Sequence, residues 1–281
     1  MEDVEKIKVL VKEIQNLFFL KKYKAIIQEA RKALKIYPKV SIFYNMLGLA
    51  LNTIGKFEES KIILEEGLKI NKDDLAIINN LANAYKGIFN YKRSEELYKL
   101  SITKDEKYIQ AYVNYGNLKR DLNSFNEAIK LYEKALELSK DSPVIYYSLA
   151  LAHQGIGNFD KAIFYSNKTL EINPKFTRAD HLISQSTKYT INNNHYKNLK
   201  DKLKNFDLMS FEAVDLYFSL AKAEEDIGNI KEASNYLIKG NNLKKKLINY
   251  NLSDEINLFK DIKNKFSNQK IFNNQNENDK K

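Results

Sequence analysis

The sequence predicts an all-α fold, a right-handed α-solenoid of tandem helix–turn–helix units, and three observations predict it. First, a 34-residue period runs through the chain. The stretches GKFEESKIILEEGLKINK at 55–72, NSFNEAIKLYEKALELSK at 123–140 and GNFDKAIFYSNKTLEINP at 157–174 share one pattern, and their starts are separated by multiples of that period. Self-similarity at such a spacing marks stacked supersecondary units. Second, each period carries two helix-spaced stripes with small residues at fixed places. Third, only nine Gly and three Pro interrupt 281 residues, so helices can run almost everywhere between the turns.

Blocks of 34 residues begin at 7, 41, 75, 109 and 143. In the first helix of each block the eighth position reads Ile14, Gly48, Ala82, Gly116 and Ala150. The seventh reads Leu47, Leu81, Tyr115 and Leu149, and the fourth Tyr44, Ile78, Tyr112 and Tyr146. Positions 4, 7, 8 and 11 form one stripe. The turn follows: its fifteenth position is Gly55, Phe89, Asn123 and Gly157, and Gly and Asn tolerate the left-handed conformation that ends a helix. Two residues on come Tyr23, Phe57, Tyr91, Phe125 and Phe159, each placed to plug the open end of its hairpin. The second helix has small residues at its twentieth (Ser60, Ser94, Ala128, Ala162, with Ile26 in the first block) and twenty-seventh positions (Ala33, Gly67, Ser101, Ala135, Thr169). Small residues facing each other let two helix backbones approach closely. Pro38 and Pro174 lie just past a second helix, where Pro is expected.

After 176 the rhythm breaks. TRADHLISQSTKY reads as a first helix and INNNHYKNLKDKLKNFDL carries a second loosely. The pattern then resumes, with Ala221, Ala233 and Gly228 in the places of Ala150, Ala162 and Gly157, offset by two periods plus three residues. The predicted organisation is a solenoid over 7–247, with repeats at 7–40, 41–74, 75–108, 109–142 and 143–176, an irregular one at 177–213 and a regular one at 214–247. A helix over 248–266, capped by Ser253, is expected to cover the exposed end with its apolar side. The Asn-, Lys- and Gln-rich tail 267–281 is expected to be disordered.

These residues resemble the tetratricopeptide repeat over most of the chain. The small residues at the eighth and twentieth positions fit that pattern better than the pentatricopeptide pattern of RNA readers. A second resemblance begins near 180: SLAKAEEDIGNIKEASNYLIKGNNLKKKLINY with LFKDIKNKF is similar to the closing repeats of tetratricopeptide-repeat sulfotransferases. In that family a catalytic domain follows, but its donor-binding motif is not in these 281 residues, and no catalytic residue carries over.

The residues point away from chemistry. Cysteine is absent, which removes disulfides, thiolate nucleophiles and Cys-based zinc sites. The three His, His153, His181 and His195, have no metal-binding spacing, and His153 reads as a core-edge residue. There is no phosphate-cradling glycine loop. Glu224, Glu225 and Asp226 are consecutive and point in different directions around a helix. No enzyme activity, cofactor or metal is expected. The charged N-terminus and the absence of a long apolar run predict a soluble, cytoplasmic chain without a membrane partner.

What remains is a surface. First helices line the concave side of such stacks, and their outward positions bring together Asn45, Asn79, Asn80, Asn83, Lys86, Asn114, Asn117 and Arg120, continued by Arg178, His181, Gln185 and Lys188. An amide offers both a donor and an acceptor, so such a row can hold an extended peptide without demanding its sequence. The resemblance adds that some tetratricopeptide proteins use an asparagine ladder of this kind. The ladder position is Met46 and Ser148 in two repeats, and the composition is Asn-rich throughout. A carboxylate clamp needs Lys at fifth positions, which here are Asn45, Asn79, Val113 and Tyr147. The expected partner is therefore a protein or extended peptide. The alternative is nucleic acid, suggested by the net charge of +10 and by clusters at Lys197, Lys200, Lys202 and Lys204 and at Lys244, Lys245 and Lys246.

Overall fold

In a computed structural model of the chain, which describes residues 2–268, every regular element among the described residues is a helix. The first ten form five antiparallel hairpins: α1 (Glu2–Phe19) with α2 (Tyr23–Ile36), α3 (Ser41–Thr53) with α4 (Phe57–Ile70), α5 (Leu75–Gly87) with α6 (Tyr91–Lys104), α7 (Ile109–Asp121) with α8 (Phe125–Leu138), and α9 (Pro143–Gly155) with α10 (Phe159–Ile172). Then come α11 (Thr177–Ser186), α12 (Asn194–Asn205), α13 (Phe211–Ile227), α14 (Ile230–Leu247) and α15 (Leu252–Asn268). The chain divides after Thr187 into two compact units.

The turns explain the period. Lys21, Gly55, Phe89, Asn123 and Gly157, spaced by 34, all have positive φ. At each, the following N–H reaches back five residues to a helix carbonyl, as in Lys56 to Leu51 at 2.9 Å and Asn90 to Tyr85 at 2.9 Å. The left-handed residue itself donates three residues back, as in Gly55 to Asn52 at 3.1 Å. This pair of bonds satisfies carbonyls that the helix end would leave open. The motif is set by hydrogen bonding strongly enough to hold even Phe89 in the left-handed region.

The small positions are where the hairpin partners meet. Ser60, Ser94, Ala128 and Ala162 are fully buried. Where the residue is Ser, its hydroxyl bonds the carbonyl of the facing small residue: Ser60 to Gly48 at 2.9 Å and Ser94 to Ala82 at 2.8 Å. Phe57 and Phe125, which open α4 and α8, do something other than plug their own hairpins. A methyl placed on Gly87 would lie 2.2 Å from the Phe57 ring, and one on Gly155 would lie 2.3 Å from Phe125. Each ring thus packs on the first helix of the next repeat, at a glycine that makes room for it. Gly87→Ala is expected to destabilise by about 1–2 kcal/mol in a urea titration, overpacking outweighing alanine's better helix propensity.

The first unit ends at α11, which packs on α10 and α9. It is only ten residues long, and its C-cap Thr187 is extended rather than left-handed. The turn that would launch a matching second helix is therefore missing. The hairpin expected over 177–213 is divided: α12 belongs to the second unit and packs on α13. α13 begins at Phe211, three residues ahead of the expected repeat start, and ends at Gly228 with φ of 90°.

The apolar residues expected to cover the end of the solenoid do not do so where their side chains are described: Leu252, Ile256, Leu258, Phe259 and Ile262 of α15 are exposed. Its N-terminus is capped not by Ser253 but by Asn251, whose Oδ1 accepts from the Ser253 N–H at 3.0 Å. The tail expected at 267–281 lies, beyond the end of α15, outside the described residues.

Candidate functional site

The outward positions of α3, α5 and α7 hold the asparagine row, and these amides are bonded first to one another and to the core. Asn80 Nδ2 donates to Asn45 Oδ1 at 2.7 Å, and Asn114 Nδ2 donates to Asn79 Oδ1 at 3.3 Å. Both pairs link a fifth position to the sixth position of the next repeat, so the amides stitch neighbouring first helices together. Asn79 and Asn80 are only 5% and 8% exposed. Asn45 and Asn114 are half-buried. Each pair uses one donor and one acceptor, which leaves an NH2 on one member and a carbonyl on the other.

Asn83 and Asn117 have a different task. Tyr98 and Tyr132 are fully buried in the second helices α6 and α8, and their hydroxyls donate to Asn83 Oδ1 at 2.6 Å and Asn117 Oδ1 at 2.8 Å. Burial holds both phenols protonated, pushing the Tyr132 pKa up to about 12 and that of Tyr98 also upward. A buried hydroxyl needs an acceptor, and the ninth-position amide supplies it. The signal was present in the sequence. Ninth and twenty-fourth positions change together, as Leu49 with Leu64, Asn83 with Tyr98, Asn117 with Tyr132 and Leu151 with Ser166.

The two cations of the row share one carboxylate. Lys86 lies 2.7 Å and Arg120 3.3 Å from Asp121, leaving one positive charge in excess. Asn52, which the sequence reading missed, donates to the Asn80 carbonyl at 2.8 Å, and its own Oδ1 is buried without a donor. Toward α11 the face becomes aromatic and polar. Arg178 lies over the rings of Tyr147 and Phe176, at 5.6 and 5.0 Å. Gln154 donates to Gln185 at 3.3 Å, and Gln185 is 3.2 Å from His181. Lys188 leaves the row: it belongs to the second unit, 3.3 Å from Asp226.

Other groups weighed in the sequence are structural. His153 is buried and stacked on Tyr165 at 5.4 Å, and burial lowers its pKa. Among the described residues no group of three or more His, Asp or Glu is placed to hold a metal ion, and no helix is long and apolar enough to cross a membrane. The lysine cluster of α12 is partly neutralised, Lys200 by Glu224 at 3.1 Å and Lys204 by Asp201 at 2.9 Å. Lys244, Lys245 and Lys246 sit in the last turn of α14, where the helix dipole favours cations.

Hairpins of this geometry, repeated at a 34-residue period, define an all-α helical-repeat fold. Family models described as tetratricopeptide repeat match residues 42–74, 75–104, 116–157 and 143–176, so the chain carries tetratricopeptide repeats there. The human protein O-mannosyl-transferase TMTC3 is 33% identical over 115 residues, 40% of this chain and 12% of that protein. The mitochondrial import receptor subunit TOM70 of Saccharomyces cerevisiae is 34% identical over 74 residues, 26% of this chain and 12% of that protein. The chain therefore spans about an eighth of the length of either relative. A thermophilic tetratricopeptide-repeat protein of Thermus thermophilus superposes with a TM-score of 0.59 at 18% identity, covering 64% of this chain and 97% of that one; it shows the shared fold.

Proposed function

We propose that the chain is a protein-interaction scaffold whose first-helix face, from α3 to α11, holds an extended segment of a partner protein. The observation that carries this reading is the pairing of Asn45 with Asn80 and of Asn79 with Asn114. Each pair holds its two amides in fixed orientation, with one donor group and one acceptor left over. That is the complement of a peptide backbone, and fixing the amides in advance lowers the entropy lost on binding. The name of the yeast relative, an import receptor subunit, is in keeping with a role in binding protein. The narrower reading, an acceptor-recognising part of a larger sulfotransferase, rests on the resemblance of 180–272 alone, and the matched family models lie within 42–176.

The test uses the full chain and a peptide selected on it from a displayed library. Asn45→Ala with Asn114→Ala removes one member of each pair and spares the tyrosine-bonded Asn83 and Asn117. The double variant is expected to weaken the peptide by about 0.5–1.5 kcal/mol per lost hydrogen bond, with helix content by circular dichroism unchanged. Binding through neutral amides is expected to change little with salt. Unchanged affinity in the double variant would sink the reading, and tight, steeply salt-dependent binding of an oligonucleotide titrated beside the peptide would favour the nucleic-acid alternative.

A further inference from the structure

α15 follows α14 after four residues, the same spacing that separates each of α2, α4, α6, α8 and α10 from the helix after it. It therefore comes in chain order where the first helix of another repeat would come, and its sequence forbids that role. Its third and tenth positions are Asp254 and Asp261. The same places in α3, α5, α7 and α9 hold Phe43, Ile77, Ala111 and Ile145, and Ala50, Ala84, Leu118 and Ala152, all buried. Docking α15 in the repeat mode would put two carboxylates into the core, at a desolvation cost no neighbour offsets.

The helix is nevertheless amphipathic. Leu252, Ile256, Leu258, Phe259 and Ile262 lie along one side at helix spacing and are 41–66% exposed. Two charged residues interrupt that side: Glu255 one turn before Phe259 and Lys263 one turn after it. Neither is ion-paired within the chain among the described residues. A two-fold axis passed through Phe259, with a second α15 running antiparallel, pairs the central part of this pattern with itself. Phe259 meets Phe259, Ile256 meets Ile262 of the other copy, and Glu255 meets Lys263 of the other copy, twice. A two-fold interface must be self-complementary in this way. A lipid surface fits less well. α15 carries three carboxylates (Asp254, Glu255, Asp261) against three ammonium groups (Lys260, Lys263, Lys265), so it has no net positive charge to draw it to an anionic surface, and Glu255 would enter the apolar layer unpaired.

We propose that α15 is a self-association element, the occupant of its apolar side being α15 of a second copy of this chain, antiparallel and centred on Phe259. The surface is small, so the association is weak and concentration-dependent.

Sedimentation velocity on the full chain, up to about 0.5 mM, tests it. The wild type is expected to shift from monomer toward dimer, and Phe259→Glu to remain monomeric. Glu255→Lys and Lys263→Glu are each expected to weaken association about tenfold, since each replaces two opposite-charge contacts by two like-charge ones. An equimolar mixture of the two single variants is expected to associate at least as tightly as the wild type, because every contact between unlike copies is again Glu with Lys. A wild type that stays monomeric throughout would overturn the proposal. So would a Phe259→Glu variant that still dimerises, or a mixture no better than its components.

Discussion

Tyr98→Ala is expected to lower the stability of the first unit by about 3–5 kcal/mol, the range for deleting a fully buried aromatic ring. Tyr98 is 0% exposed, stacks on Tyr115 with ring centroids 6.0 Å apart, and donates its hydroxyl to Asn83 at 2.6 Å. The loss divides between ring and hydroxyl. Tyr98→Phe keeps the ring and is expected to cost only about 0.5–1.5 kcal/mol, since Asn83 keeps some contact with water. Asn83→Leu is expected to cost about 1–3 kcal/mol, because it strands a buried hydroxyl. Combining Asn83→Leu with Tyr98→Leu reproduces the residues found at the same places in the second repeat, Leu49 and Leu64. The double variant is then expected to be more stable than the sum of its parts by about 1–2 kcal/mol. Urea titrations of these four variants and of Tyr98→Leu alone give the answer, and strict additivity would show that the amide and the phenol are not a unit.

That result bears on how the asparagine row is read. From the sequence, Asn79, Asn80, Asn83, Asn114 and Asn117 form one set, because all stand on the outward stripe of a first helix. The structure divides them by what lies behind each. Asn83 and Asn117 face a tyrosine of the second helix; Asn79 and Asn80 face the neighbouring first helix. A helical stripe tells which side a residue is on, but not whether a neighbour reaches it. That depends on residues 15 or 35 positions away.

The repeats themselves were legible because two physical requirements recur: a left-handed residue to end the first helix in all five blocks, and small residues where the backbones meet from the second block on. Lys21 and Phe89 fill the left-handed place without the expected residue type, and periodicity located Phe89 where composition alone would not. What periodicity could not supply was anything that occurs once. The missing turn after α11 is such a feature, and so is the placing of Asp254 and Asp261 where the first helices α3, α5, α7 and α9 bury apolar residues. The acidic run Glu224–Asp226 is a third, since its partners Tyr196, Lys200 and Tyr189 lie about thirty residues upstream in a segment without repeat pattern.

Glu224→Ala is expected to lower the stability of the second unit by about 2–4 kcal/mol. Glu224 is 2% exposed and accepts three bonds, from Tyr196 Oη at 2.7 Å, Lys200 Nζ at 3.1 Å and Asn229 Nδ2 at 3.0 Å. Its removal leaves the buried Tyr196 hydroxyl without an acceptor and Lys200 without its counter-charge. Lys200 is partly exposed, so water recovers some of that loss, and the expected cost stays below that of a fully buried ion pair. Burial alone would raise the Glu224 pKa, but the bonds from Tyr196 and Lys200 outweigh it and hold the carboxyl below its ordinary value. Asp226 behaves alike: burial opposes ionisation, and the bonds from Lys222, the Tyr189 N–H and Lys188 overcome it. A depressed carboxylate contributes stability that is present above its unfolded pKa and is lost as pH falls through the lower folded value. The wild-type second unit should therefore hold its stability at neutral pH and lose it below about pH 4. Glu224→Gln, which cannot ionise, should start less stable at pH 7 and lose less on acidification. Hydrogen exchange of the α12–α14 amides at pH 7 and under acid, corrected for intrinsic rates, reads both effects. Equal acid sensitivity in wild type and Glu224→Gln would show that the carboxylate of Glu224 is not among the charges on which the unit depends.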